Sequence, residues 1–227
     1  MALWAIVQRG CVTPFLLARS QRYQLGALGL VQVLLALAAT TAALAVAARV
    51  AGLVVTLIYC LQCLRFALSA KDQPLPSLAG RALLLGLASV ALTFATLLVM
   101  QVPLLATGLF AEITSPSFAI NLAKWLAYAL LGAFYPVLPL VAINGVAGLR
   151  QGFKVGRQHW LALGLLVFME KMLGELVMAA LGYLPLGESL AVLDMVLQLI
   201  LLALWMFVLA EAVKTWHRPA DHFVLEV

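Results

Sequence analysis

Three charged residues, Glu170, Lys171 and Glu175, lie within an otherwise apolar stretch of the chain. If this stretch crosses a membrane, its charges lie near the bilayer centre, where each costs about 2.5–3.5 kcal/mol on insertion scales. Lys171 and Glu175 are about 40° apart around a helix, so they can pair on one face. The cluster predicts either a polar site for an ion, a proton or a lipid headgroup, or a structural ion pair. In the second case the pair would lock its helix to a neighbour through Gln198 or Gln101.

A second pattern consists of glycines spaced four residues apart. They are Gly148, Gly152 and Gly156. On a helix such glycines form a smooth stripe that lets the backbone of another helix approach closely. The spacing therefore predicts a helix-packing surface.

Cations occupy the opposite side of the same helix. Arg150, Lys154 and Arg157 lie within about 60° of one another around the helix axis. Phe153 and Trp160 flank them, which is typical of an amphipathic segment at a membrane surface. We expect these cations to contact the phosphates of anionic lipid headgroups. The alternative is an ordinary basic loop on the cytoplasmic side of a membrane protein.

Other reactive residues give weaker patterns. Cys60-x-x-Cys63 has the spacing of a thiol redox pair, although buried cysteines are more often small hydrophobic residues. His217 and His222 have no accompanying ligand cluster, so no metal site is predicted. The chain contains no phosphate-binding glycine loop and no His-Glu-x-x-His motif. We therefore expect no cofactor and no enzymatic activity.

The composition indicates the environment that these residues occupy. Hydrophobic residues make up 65% of the 227-residue chain and charged residues 10%, with a mean hydropathy of +1.10. A soluble domain has about 25% charged residues, which it needs to cover its surface. The net charge of +5 does not predict nucleic acid binding, because Lys and Arg gather at the cytoplasmic ends of membrane helices. We predict an all-α polytopic membrane protein.

Prolines, polar breaks and the charge at Arg49 followed by Gly52 divide the chain into six predicted transmembrane helices, which form a bundle. Residues 1–22 are predicted to form an interfacial amphipathic segment, and residues 217–227 a cytoplasmic tail. Turns or loops are expected at about 47–52, 71–77, 112–117 and 185–189. Pro136 and Pro139 break or bend the fourth helix. Within the 23–216 domain the six helices are expected at about 25–46, 51–68, 81–105, 120–146, 161–184 and 190–213.

Charge sets the predicted orientation. With the N-terminus in the cytoplasm, every Lys and Arg except Arg49, Lys124 and Lys171 lies on the inner side. This bias favours an even number of helices, with both termini in the cytoplasm of a bacterial inner membrane. The expected partners are the lipid bilayer, with anionic lipid on the cytoplasmic face, and either a second copy of the chain or another membrane protein.

The chain also resembles a known membrane family. The resemblance is carried by Tyr135-Pro136-Val-Leu-Pro139, followed by Leu149-Arg150-Gln-Gly-Phe-Lys154-Val-Gly-Arg157-Gln-His-Trp160, and by the loop from Ala67 to Leu78. This pattern is similar to the membrane domain of bacterial glycerophosphoryl diester phosphodiesterases and to related six-helix inner-membrane proteins. In those phosphodiesterases the chemistry belongs to a separate soluble domain. The resemblance therefore implies a membrane module and transfers no catalytic residues.

Two functional hypotheses follow from these patterns. The first is a non-enzymatic membrane scaffold or lipid-interacting module, based on the glycine stripe and the basic inner ends. The second is a transporter or permease-like component, based on Glu170, Lys171 and Glu175.

Overall fold

The computed structural model describes residues 2–41, 44–68, 75–107, 127, 129–182 and 189–216. All regular secondary structure in these ranges is helical, so the all-α prediction is confirmed. The predicted tail at 217–227, the loop at 112–117 and most of the turn at 185–189 lie outside the described residues. The elements are α1 (Ala2–Leu16), α2 (Arg19–Ala38), α3 (Ala45–Ala67), α4 (Leu75–Thr107), a 3-10 helix (Gly132–Phe134), α5 (Val137–Asn144), α6 (Val146–Gln158), α7 (Trp160–Gly182) and α8 (Ser189–Trp216).

The first turn between long helices lies earlier than the predicted 47–52. α2 ends at Ala38 and α3 begins at Ala45, so Arg49 lies inside α3, where it is exposed. The hydroxyls of Thr40 and Thr41 donate to the carbonyls of the two residues at the end of α2, both at 2.7 Å. These bonds satisfy carbonyls that have no partner within the helix. The threonines therefore end the helix without a charge or a proline.

α4 begins within the predicted loop at 71–77. Its first residue is Leu75, and Pro76 follows at once. A proline is tolerated in the first turn of a helix because the N–H that it lacks would have no intrahelical partner there. The loop therefore ends sooner than its two prolines suggest.

The fourth predicted helix, 120–146, is interrupted. Residues 129–131 are helical, and the 3-10 helix and a turn at Tyr135 and Pro136 separate them from α5. α5 ends at Asn144, and Gly145 adopts a φ of +57°, which favours glycine. The basic segment after it is a regular helix, α6. α5 and α6 thus form a helical hairpin, defined here as residues 137–158.

Buried residues concentrate in one half of the molecule. The C-terminal halves of α3 and α8 pack against α5, and α4 and α6 contact α5 as well. Every residue of α5 from Val137 to Ala142 is buried. α2, in contrast, has no buried residue. Among the described helices, one half therefore packs densely around α5, and α2 contributes little to that core.

α1 packs against α8, whereas residues 1–22 were predicted to form an interfacial segment. Ile6 is 2% exposed, and a Cβ on Gly10 would lie 2.6 Å from the Cα of Val208. The chain turns after Leu16, so that α2 begins at Arg19, inside the predicted segment. The opposite face of α1, with Trp4 among its residues, remains exposed.

Several helices expose apolar faces. Leu83, Leu87, Val90 and Phe94 follow one side of α4 and are 59–66% exposed. By length and composition, two helices within the described part of the chain are able to cross a membrane, α3 and the 192–216 portion of α8. α7 is as long as α3 but carries three charged residues near its middle.

Replacing Ile6 with alanine should detach α1 from α8. Removing a buried isoleucine side chain costs about 2–5 kcal/mol, because the cavity that it leaves refills only partly. The expected result is a lower melting temperature in detergent and faster proteolysis within α1. Val12, which is 50% exposed on the same helix, supplies the control variant Val12→Ala. Equal melting temperatures for the two variants would contradict the packing of α1 on α8.

Candidate functional site

The glycine stripe of α6 lies directly on the backbone of α5 and of the 3-10 helix. A Cβ on Gly152 would lie 2.5 Å from the Cα of Val137. A Cβ on Gly148 would overlap the carbonyl group of Leu140, and one on Gly156 would overlap the carbonyl oxygen of Ala133. Only glycine allows backbones to approach this closely. The two helices run antiparallel, because the contacts move backwards along one as they move forwards along the other.

Polar side chains fasten the end of this hairpin. Arg81 of α4 donates through Nη1 to the carbonyl oxygen of Ala142 at 3.2 Å. A cation near the C-terminus of a helix interacts favourably with the unpaired carbonyls there. Asn144 donates to Gln151 Oε1 at 2.6 Å and so joins α5 to α6. Sequence reasoning had treated Arg81 as an inner-side cation and did not assign it a partner.

The opposite face of α6 carries the predicted cations. Arg150, Lys154 and Arg157 are all exposed. They form no ion pair or hydrogen bond with any residue that the structure describes. Because the glycine face is fixed against α5, these three cations can only point outward. They form a positive surface, called here the basic face, to which no described residue supplies a counter-charge.

An apolar groove adjoins the basic face. It has a volume of about 310 Å³ and is bounded on one side by Leu149 and Phe153 of α6. Phe153 packs edge to face on Phe134, with ring centroids 5.6 Å apart. Ala88 and Ala95 of α4 line the other side of the groove, where their small side chains leave space. The cations thus lie beside an apolar surface, as at a membrane interface.

The charged residues of α7 line a separate cavity of about 440 Å³. α2, α3 and α8 form its other walls. We call it the polar cavity; its polar lining consists of Gln32, Thr56, Glu170, Lys171, Glu175 and Gln198. The structure thus brings together all four residues of the predicted intramembrane site. It adds two, Gln32 and Thr56, that sequence reasoning missed. Each is an isolated polar residue in a long apolar helix, and this isolation is the feature of the sequence that could have indicated a polar site.

Within the polar cavity, Lys171 forms an ion pair with its neighbour Glu170. Lys171 Nζ lies 3.0 Å from Glu170 Oε2 and donates to Glu170 Oε1 at 3.3 Å. Both side chains are partly buried, at 31% and 23% exposed. Sequence reasoning had considered Lys171 with Glu175, which lines the same cavity.

The amide of Gln198 bonds within its own helix. Gln198 Nε2 donates to Asp194 Oδ1 at 3.0 Å and to Oδ2 at 3.2 Å. The sequence predicted that Gln198 would bond to the charges of α7. In the structure its amide nitrogen bonds to Asp194 of the same helix. The side chain of Gln101, the other predicted link, lies outside the described part of the chain.

The other reactive residues lie apart from both sites. Cys60 and Cys63 are buried free thiols in α3, and Cys11 is an exposed free thiol. His159 stacks on Trp216 at 4.9 Å between ring centroids. No group of three or more metal-ligating side chains occurs among the residues described. His217 and His222 fall outside them.

Two buried charges were not singled out in the sequence. Arg65, at the end of α3, is 4% exposed, and Glu211 of α8 is 9% exposed. Glu211 pairs with Lys214 at 2.6 Å. Both belong to the densely packed half of the molecule, where Glu211 lines a groove against α1.

The chain matches no protein-family model, and neither a curated protein nor a solved structure is significantly similar to it. The assignment of function consequently depends on the two sites themselves.

Replacing Gly152 with alanine should separate α6 from α5. The added methyl group has backbone on its far side, which cannot move aside, and overpacking of this kind costs about 1–3 kcal/mol. Gly174 of α7 is the matched control, because a Cβ there would meet nothing within 4 Å. Gly174→Ala should melt at or slightly above the wild-type temperature, and Gly152→Ala clearly below it. A Gly152→Ala variant as stable as the control would show that the two backbones are not in contact.

Proposed function

We propose that the chain is an integral protein of a bacterial inner membrane, with six spans and both termini in the cytoplasm. In this proposal it is a non-enzymatic module that binds anionic lipid through the basic face of α6. The observation that carries the proposal is a row of three outward cations, unpaired among the described residues, on a helix whose orientation is fixed by its glycine contacts. Its resemblance to the membrane domain of glycerophosphoryl diester phosphodiesterases stays a prediction.

The exposed apolar faces support the membrane environment. Leu83, Leu87, Val90 and Phe94 form an outward strip on α4, and α2 and α7 expose similar residues. Soluble monomers rarely expose a contiguous apolar patch larger than a few hundred Å². Lipid would solvate these faces and leave the backbone groups paired within helices. The spans would be α2, α3, α4, the interrupted segment at 120–146, α7 and α8.

Contacts among the helix ends support the proposed orientation. Arg81, at the start of the third span, reaches the carbonyl of Ala142 near the end of the fourth. The C-terminal halves of α3 and α8 pack against the same short helix. The ends that carry Arg65, Arg81 and Lys214 thus belong to one side of the bundle. The positive-inside bias assigns that side to the cytoplasm.

The exposed aromatic residues near the basic face support its contact with lipid headgroups. Phe153 of α6 and Trp160, the first residue of α7, are 49% and 51% exposed. Aromatic side chains of this kind settle at the headgroup level of a bilayer, where cations meet phosphate. Each cation near an anionic surface contributes about 1 kcal/mol of attraction.

Changing Arg150, Lys154 and Arg157 together to glutamine should remove the preference for anionic lipid. At about 1 kcal/mol per cation, the preference for phosphatidylglycerol over phosphatidylcholine should fall on the order of a hundredfold. Native mass spectrometry of the purified protein, titrated with each lipid in detergent, measures this ratio. The folded state is monitored by the melting temperature of each variant.

The matched control carries the same change in charge at Arg9, Arg19 and Arg22. These arginines are exposed but are distributed over α1 and α2 rather than along one helix face. The control should keep most of the lipid preference. An equal loss in both triple variants would refute a specific role for α6.

A second candidate function, a transporter or permease-like component, is favoured by the polar cavity. Charged and amide side chains from α2, α7 and α8 meet there, near the middle of each helix. Intramembrane ionisable residues around a cavity commonly mark a path for a solute or an ion. A purely structural ion pair would need no such space.

A double-mutant cycle on Glu170 and Lys171 tests how far the ion pair is structural. The single variant Lys171→Met leaves an uncompensated carboxylate, so it should be less stable than the double variant Glu170→Gln with Lys171→Met. Melting temperatures in detergent should give a coupling energy of about 0.5–3 kcal/mol. If the folded double variant also loses a growth or uptake phenotype, the pair has a role beyond stability. Additive destabilisation by the two single changes would exclude the pair.

A further inference from the structure

We propose that the polar cavity is a binding site for a small organic cation with a primary ammonium group. The inference deepens the second candidate function, because it names the class of solute for that cavity. Only transport of the cation depends on the permease proposal, because binding to the cavity can be measured separately. It is independent of lipid binding by α6.

Some of the hydrogen-bond donors in the cavity lining already donate to other groups of the protein. Thr56 Oγ1 donates its hydrogen to the carbonyl oxygen of Gly52 at 2.9 Å. Gln198 Nε2 donates to Asp194. Thr56 therefore offers the cavity only oxygen lone pairs, whereas Gln198 keeps the lone pairs of Oε1 and its second amide hydrogen.

Two further acceptors on the same cavity are buried and receive no hydrogen bond. They are Gln32 Oε1 and Glu170 Oε2, and no described residue donates to either. Glu170 Oε2 is compensated by the ammonium of Lys171, which lies 3.0 Å away as an ion pair while its hydrogen bond goes to Oε1, so Gln32 Oε1 is the acceptor that lacks any described partner. Buried acceptors without donors are unfavourable. A ligand with several N–H groups would supply the missing donor to Gln32 Oε1 and a hydrogen bond to Glu170 Oε2.

The charge of the lining favours a cation over an anion. Glu170 and Glu175 contribute two carboxylates, and Lys171 contributes one ammonium. The remaining walls, including Met195, Leu199 and Leu202, are apolar and screen charge poorly. A single positive charge on the ligand would bring the cavity to neutrality. An ammonium also supplies three donors, which matches a lining dominated by acceptors.

The size and the apolar walls limit the rest of the ligand. A volume of about 440 Å³ lies in the range of small-molecule pockets. Leu199, Leu202 and Met195 provide contact for a short alkyl chain beside the polar groups. A linear primary amine of a few carbons combines both properties.

Binding is tested on the purified full chain in detergent with three probes of similar size. n-Butylammonium should raise the melting temperature in a saturable, concentration-dependent way. Tetramethylammonium has the same charge but no N–H, and butyrate has the opposite charge, so neither should do so. No shift with n-butylammonium, or an equal shift with tetramethylammonium or sodium ions, would overturn the proposal.

Variants assign the binding to the cavity. Gln32→Leu and Glu170→Gln should each weaken n-butylammonium binding about tenfold or more, as measured by isothermal titration calorimetry. Gln24→Leu changes an exposed glutamine of α2 outside the cavity and should bind as the wild type does. Glu170→Gln keeps the size of the side chain, so this variant tests the site even if Gln32→Leu does not fold. Unchanged affinity in Glu170→Gln would overturn the proposed site.

Uptake separates this inference from the two proposed functions. In proteoliposomes, binding with no n-butylammonium uptake would refute the permease and leave the binding site intact. Loss of phosphatidylglycerol preference in the α6 triple variant with normal amine binding would support the two sites as independent. Loss of amine binding in that variant would contradict their independence, and with it the assignment to the polar cavity.

Discussion

The direct contact between the backbones of α5 and α6 is the constraint on which much of the structure depends. Gly148, Gly152 and Gly156 remove the side chains that would hold the two helices apart. α5 is consequently covered by α6 on one side and by α3, α4 and α8 on others. Its terminal carbonyls then lie inside protein and need donors, which Gly145 and Arg81 supply. The same contact leaves the cations of α6 only one direction in which to point.

The two candidate sites belong to regions with different packing. The basic face borders the dense half, where few side chains have room to move. The polar cavity lies against α2, which buries none of its residues. α2 is covered mainly on the side that packs against α3, whereas α5 is enclosed by four helices. A site that must admit a solute is better placed in the first environment, and a fixed surface for lipid in the second.

The sequence predicted the helical class, the cations of α6 and four of the six polar residues of the cavity, because periodicity and residue type carry that information directly. It could not predict the hairpin, since the reversal depends on the backbone conformation of one residue, Gly145, after a proline turn. It placed the first turn too late, because the residues between α2 and α3 are small or apolar like those of the helices on either side. Gln32 and Thr56 were missed because membership of the cavity is decided by which helices meet, and spacing within one helix does not encode that.

The packing of α1 on α8 has a consequence for how the chain assembles. Ile6 and Gly10 are synthesised early, and their neighbour Val208 follows only after all the intervening helices have been made. The first helix must therefore wait without its partner during synthesis, with an apolar surface that no later segment has yet covered. This contact can close only after α8 has been synthesised. A product that stopped before α8 would keep that surface accessible to chaperones and proteases.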